Sequence, residues 1–169
     1  MHSTDNEILE IVDYEGNVIG TACRAEIHKQ GLMHRAVHIF LFNKAGEIYV
    51  QRRSQFKDRY AGKLDSSAAG HVEPGETYRR TAVRELREEI GIDAEVNEIF
   101  RVGASKITDN EHVALFRSST DQEPVPNPDE VQWGKFIEPE KLTQMMNKTP
   151  EDFVPAFIFL WSEFKRMQT

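Results

Sequence analysis

Two short apolar runs, Ile8–Val12 and residues 18–22, flank the polar stretch Asp13-Tyr14-Glu15-Gly16-Asn17. Gly16 supplies a residue free to take positive φ, so the pattern predicts an opening β-hairpin. After a polar stretch holding Arg24 and His28, residues 36–42 read Ala-Val-His-Ile-Phe-Leu-Phe, which predicts a strand buried on both faces. The polar residues 43–47 mark a turn and residues 48–52 a returning strand, making a second hairpin. Residues 54–66 mix charge, glycine and aromatic groups and read as a loop. Residues 68–72 are a short strand candidate ahead of the Pro74-Gly75 turn.

A helical period then takes over from about Thr77 to Ile90, and Gly91 stands where a left-handed residue ends a helix. Residues 95–102, 112–116 and 131–137 read as further strands. Residues 139–146 and about 150–165 are helical by spacing, the latter through Phe153, Ala156, Phe157, Leu160, Trp161 and Phe164, a stripe that reads as core. Pro124, Pro126 and Pro128 make a stiff extended loop and not a domain linker, since the strands on either side are too few for separate cores. No internal repeat occurs, and residues 1–169 are expected to form a single domain.

Composition narrows the function classes. Hydrophobic residues at 39% and charged residues at 29% fit a folded globular chain and not a disordered one. Lys plus Arg is 21 against 28 for Asp plus Glu, a formal charge of −7, the wrong sign for sequence-independent nucleic-acid binding. A divalent cation can still bridge such a chain to an anionic small molecule. Cys23 is the single cysteine, so a disulfide scaffold and a thiolate zinc site are both excluded; with no visible catalytic partner it reads as an inert thiol. The start Met1-His2-Ser3-Thr4-Asp5-Asn6-Glu7 lacks a basic segment followed by an apolar one, and no apolar run approaches membrane-spanning length. The chain is therefore expected to be cytoplasmic, with no membrane partner; oligomeric state stays open, a homodimer included.

The chemistry concentrates in Gly70-His71-Val72-Glu73-Pro74-Gly75-Glu76, residues 77–83, and Arg84-Glu85-Leu86-Arg87-Glu88-Glu89-Ile90-Gly91-Ile92. At helical spacing Glu85, Glu88 and Glu89 fall in one arc of about 100°, while Ala82, Val83, Leu86 and Ile90 fall in an adjacent one. Like-charge neighbours at i,i+3 and i,i+4 cost about 0.2–0.5 kcal/mol each, and carboxylates in the second half of a helix oppose its macrodipole. Helix stabilisation does not account for them. A hard divalent cation does, because Mg²⁺ and Mn²⁺ take oxygen ligands and bind carboxylates together with substrate phosphates. The competing reading is a solvated charged face with Arg84 paired to Glu88.

This segment resembles the Nudix hydrolase signature: Gly, five residues, Glu, seven residues, then Arg-Glu-aliphatic-x-Glu-Glu-x-Gly-aliphatic. Every fixed position matches, and average residue frequencies put a chance match on the order of 10⁻⁷. The resemblance implies an α/β (α+β) fold, an αβα sandwich with a mixed sheet. It implies that Glu88 and Glu89 bind Mg²⁺ or Mn²⁺ with the carbonyl of Ala69, the residue before Gly70. Glu85 would be a further ligand or the base for the attacking water, Arg84 would orient the glutamates, and Glu76 would support the loop and helix. The implied reaction is attack of metal-activated water on a small-molecule diphosphate linked to a group X, with nucleotides among the compatible substrates.

A second resemblance, over residues 32–43 with Gln51-Arg52-Arg53-Ser54 and Lys57, is to the branch of the superfamily containing isopentenyl diphosphate isomerase. Those isomerases use a cysteine just before a Gly-His or Ser-His pair and histidines as metal ligands. Here Ala69 stands where the thiol should be, and an alanine moves no proton. His34, His38 and His71 would echo that metal site or serve as hydrogen-bonded structural groups. A non-catalytic nucleotide-binding regulatory module is the third reading. Arg52, Arg53 and Lys57 are candidates to hold substrate phosphates, since guanidinium groups grip them bidentately; a charged hairpin edge is the alternative. An acid from outside the motif is expected from the loop before the final strand, with Glu130 the candidate and Glu111 the runner-up.

Overall fold

A computed structural model describes residues 6–168; Met1 to Asp5, on which part of the reading of the N-terminus rests, and Thr169 lie outside it. In chain order the elements are β1 (Ile8–Val12), β2 (Val18–Cys23), α1 (Arg24–Gln30), β3 (His34–Phe42), β4 (Ile48–Arg53), β5 (Leu64–Asp65), β6 (Ala68–His71), α2 (Tyr78–Ile90), β7 (Val96–Val102), β8 (Glu111–Ser119), β9 (Val131–Ile137), α3 (Pro139–Lys148) and α4 (Pro155–Gln168). The opening hairpin forms as the pattern predicts, with Gly16 at φ +84°. The polar stretch after it does not stay irregular. It becomes α1, only seven residues long and anchored by the fully buried Ile27, too short for a period to stand out in the sequence.

Alternation along β3 explains why its run is apolar throughout. Val37, Ile39 and Leu41 face α2 and pack with Leu86, Ile90 and Phe116. Ala36, Phe40 and Phe42 face the other way, toward α3 and α4. Phe40 sits edge-on to Phe157, Trp161 and Phe164 at 5.4–5.7 Å between ring centres. The result is the expected αβα sandwich, and its sheet is mixed because β3 and β8 run parallel. The last helical stretch is interrupted: Pro150–Asp152 form a 3-10 turn, Phe153 bridges to Leu64, and Pro155 disfavours a helical residue before it, so α4 starts afresh. Among the described residues no helix is long and apolar enough to cross a membrane.

The second hairpin is corrected by the structure in the way that matters most. β3 and β4 pair only at Phe42 and Ile48 and then splay apart. Segment 64–71 enters the gap, β5 pairing with β4 and β6 with β3. Ser67 stitches the apex, its Oγ accepting from Leu41 N at 2.8 Å and donating to the Tyr49 carbonyl at 2.5 Å. β8 and then β7 continue the sheet beyond β3, and β9 lies beyond β4. The proline-rich loop docks on the end of α2, where Val125 N and Asn127 N donate to the free carbonyls of Ile90 and Glu89, both at 2.8 Å. Gly91 makes the dock possible, with φ +67° and only 3.4 Å from its missing Cβ to the Val125 carbonyl.

Candidate active site

α2 begins on a side-chain cap, Thr77 Oγ1 accepting from Arg80 N. Glu76, just before it, accepts from Thr81 Oγ1 at 2.8 Å and takes Arg84 bidentately, from Nε at 3.1 Å and Nη2 at 2.9 Å. Arg84 then donates from Nη1 to Glu85 at 2.7 Å and to Glu88 at 3.2 Å, and from Nη2 to the His71 carbonyl. One guanidinium thus ties the loop, β6 and two glutamates together. Close packing requires Gly70, since a Cβ there would lie 2.0 Å from Glu85 Oε1.

The three glutamates are not equivalent. Glu88 is exposed, whereas Glu85 and Glu89 are buried on the face turned to the sheet. Glu89 Oε2 accepts from Gln51 Nε2 at 2.7 Å and from Ala69 N at 3.1 Å, so the residue expected to offer its carbonyl also holds Glu89 through its amide. Burial, then the charge of Glu89, raises Glu85 well above the usual carboxylate range, and Arg84 only partly offsets it. Burial likewise raises Glu89 to about 7 against the opposing pull of Lys57 and Arg53. Such a cluster is costly to bury and suited to a divalent cation.

These carboxylates open on a cavity of about 690 Å³ that also receives Arg53, Lys57, Glu111 and Glu130. Glu130 is ion-paired to Lys57, while Arg53 donates to Asp65 Oδ2 at 3.0 Å and to the Arg59 carbonyl. Arg52 takes no part in the wall. Alternation turns it to the other side of the sheet, where it donates to the Gly62 carbonyl and lies over Trp133. Cys23 is a half-buried free thiol outside the cavity.

Of the three histidines singled out, the fold gathers two and adds one. Ligand atoms of His28, His34 and His71 lie within 4.8 Å of one another, and His38 is elsewhere. His34 Nδ1 donates to the Leu32 carbonyl at 3.0 Å, which leaves a buried Nε2 without a hydrogen bond facing the group. Glu111 sits 3.2 Å from His71 Nε2 and 3.4 Å from His34 Nε2. Burial alone would lower His71, but the bonds and charges of Glu111 and Glu7 prevail and push it up to about 9. Despite its burial, the neighbouring His34 and His71 hold Glu111 well below the ordinary range. Burial and its two histidine neighbours press His28 down to about 4, and Arg59 Nη1 donates to its Nδ1 at 3.1 Å. No local pattern gives His28 or Gln51 a place in the site; only the fold brings His28 to the other histidines and Gln51 to Glu89.

The NUDIX domain model matches residues 32–157. An isopentenyl-diphosphate Delta-isomerase of Photorhabdus laumondii is 33% identical over 157 residues, covering 90% of this chain and 89% of the relative. An uncharacterized Nudix hydrolase of Pseudomonas aeruginosa is 36% identical over 149 residues, covering 88% of each. Among solved structures, a Deinococcus radiodurans protein superposes with a TM-score of 0.83 at 25% identity, over 93% of this chain and 98% of that one. The Nudix domain of Shewanella oneidensis NrtR, solved with ADP ribose, superposes at 0.65 and 14% identity over 88% of this chain and 100% of the other, a likeness of fold alone. The signature, the sandwich and these relatives agree, and the chain belongs to the Nudix family.

Proposed function

We propose that the protein is a divalent-metal-dependent pyrophosphohydrolase acting on a small-molecule diphosphate, and one observation carries the reading. Buried Glu85 and Glu89, held by Arg84, Gln51 and the Ala69 amide, open on the same cavity as Arg53 and Lys57. Glu88 and Glu89, with the Ala69 carbonyl and Glu85, would hold Mg²⁺ or Mn²⁺, the metals Nudix proteins generally use. When bound, such an ion polarises a phosphate and acidifies a water. Arg53 and Lys57 bind and orient the phosphates, Arg84 keeps the glutamates in register, and Glu130 takes the proton of the attacking water at a carboxylate oxygen. Purified protein should release phosphate or a nucleoside monophosphate from a panel of nucleoside diphosphates, nucleotide sugars and ADP-ribose with Mg²⁺ or Mn²⁺. Activity surviving excess chelator would sink the metal assignment.

The relatives named as isomerases raise a second reading, opposed by Ala69. No interconversion of isopentenyl and dimethylallyl diphosphate is expected, because no thiol occupies position 69; product analysis finding either isomer at an enzymatic rate would overturn this. The histidine group is compatible with a nitrogen-preferring ion such as Zn²⁺ or Co²⁺, provided Arg59 releases His28 Nδ1. Cobalt titration should give visible d–d absorption that His34→Ala abolishes, and identical spectra for the two proteins would remove His34 from any such centre.

A further inference from the structure

His38 is a buried histidine that neither the carboxylate cluster nor the histidine group uses. It sits in the middle of β3, opposite Ala69 on β6, and lines the cavity although the residue is only 5% exposed. Its orientation is fixed by a chain of bonds. Asp65, itself 1% exposed, accepts from Arg53 Nη1 at 3.0 Å, from Ser66 N at 2.8 Å and from Ser66 Oγ at 3.2 Å. A carboxylate only accepts, so the Ser66 hydroxyl proton goes to Asp65 and its oxygen is left to accept. The His38 Nδ1 proton fills that place at 2.7 Å. In the neutral ring Nε2 then carries the lone pair, and no described residue hydrogen-bonds to it. Two strands and the wedge between them therefore hold the ring in place, with its unpartnered acceptor on a residue that lines the cavity.

Its surroundings indicate what it accepts from. Ala36 and Ala69 occupy the neighbouring strand positions, and Val154 and Ala156, ahead of and within α4, line the same cavity. Phosphate oxygens are acceptors too, so they suit the cations Arg53 and Lys57 of the same cavity and not an acceptor on His38. A buried acceptor held in place without a partner selects a ligand group bearing a donor and penalises a hydrocarbon, which would leave that acceptor dry and unpaired. We propose that His38, oriented by Ser66 and Asp65, is the specificity residue that accepts a hydrogen bond from a hydroxyl of X, so that the substrates are diphosphates of hydroxylated groups such as sugars and not isoprenoid diphosphates. This rests on the hydrolase reading and sharpens it.

The test compares kcat/KM for hydrolysis of ADP-ribose, UDP-glucose and isopentenyl diphosphate in Mg²⁺ by the wild-type protein, His38→Leu and Ser66→Ala. Each ratio between substrates is independent of how much of a variant is folded. The wild type should favour the better sugar compound over isopentenyl diphosphate by about 10²-fold or more. His38→Leu should collapse that ratio toward one, and Ser66→Ala, which frees the ring to turn, should lower it partway. A wild-type preference for isopentenyl diphosphate, or ratios unchanged within threefold in both variants, would overturn the assignment and leave the hydrolase reading standing. Absence of Mg²⁺-dependent turnover on every compound would remove the hydrolase reading and this one with it.

Discussion

Glu89→Gln is expected to cut turnover by about 10²-fold or more while making the metal-free protein harder to unfold at alkaline pH. The catalytic half follows from the loss of a charged ligand where polarisation of phosphate supplies several kcal/mol. The stability half follows from burial. The carboxyl of Glu89 titrates near 7 in the folded chain, against an ordinary value of 4.5. The folded state therefore binds this proton more tightly than the unfolded one, and stability falls as pH rises from about 4.5 through 7. Glutamine keeps an oxygen to accept from Gln51 Nε2 and Ala69 N and carries no charge at any pH, so the variant escapes the fall. Denaturant melts in chelator should agree near pH 4.5 and diverge by pH 8, on the order of a few kcal/mol in favour of the variant. Curves that remain parallel across that range would show that Glu89 is not desolvated as its surroundings require. Exposed Glu88 offers the contrast: Glu88→Gln should weaken Mn²⁺ binding with little loss of fold.

Glu130→Gln should lower kcat and kcat/KM together by about 10²-fold to 10⁴-fold, the range for removing a base that acts in the transition state. The backbone already places it: Ser54 N donates to its carbonyl at 3.0 Å and its own N–H donates to the Asn127 carbonyl at 3.0 Å. Its carboxylate pairs with Lys57 in the cavity wall and remains partly open to water. The runner-up, Glu111, is a poorer base in this setting, because His34 and His71 hold its carboxyl in the ionised, weakly basic state. Steady-state rates decide between them. A change below about threefold for Glu130→Gln, with Glu111→Gln severely impaired, would transfer the role.

Much of this protein is written locally. The helix from about Thr77 to Ile90, its stop at Gly91, the carboxylate and core arcs and the buried strand over 36–42 all follow from periods of a few residues, so the chain declares them before it folds. The signature was legible for the same reason, every fixed position lying within 70–92. What the chain left unsaid is non-local. Nothing in residues 43–52 distinguishes a closed hairpin from strands that splay after one pair, because that depends on segment 64–71 arriving to fill the gap. Once it does, the sheet opens a cleft reached from both of its faces. Arg53 turns into that cleft while its neighbour Arg52 turns out. Gln51 reaches Glu89 across 38 positions of sequence, and His28 joins His34 and His71 from a helix too short to announce itself. Sequence alone determined which carboxylates share one arc of the helix, since helix geometry fixes that within two turns. Tertiary structure decided which cations, amides and imidazoles surround them, because those distances are set only when separate strands pair and exclude water.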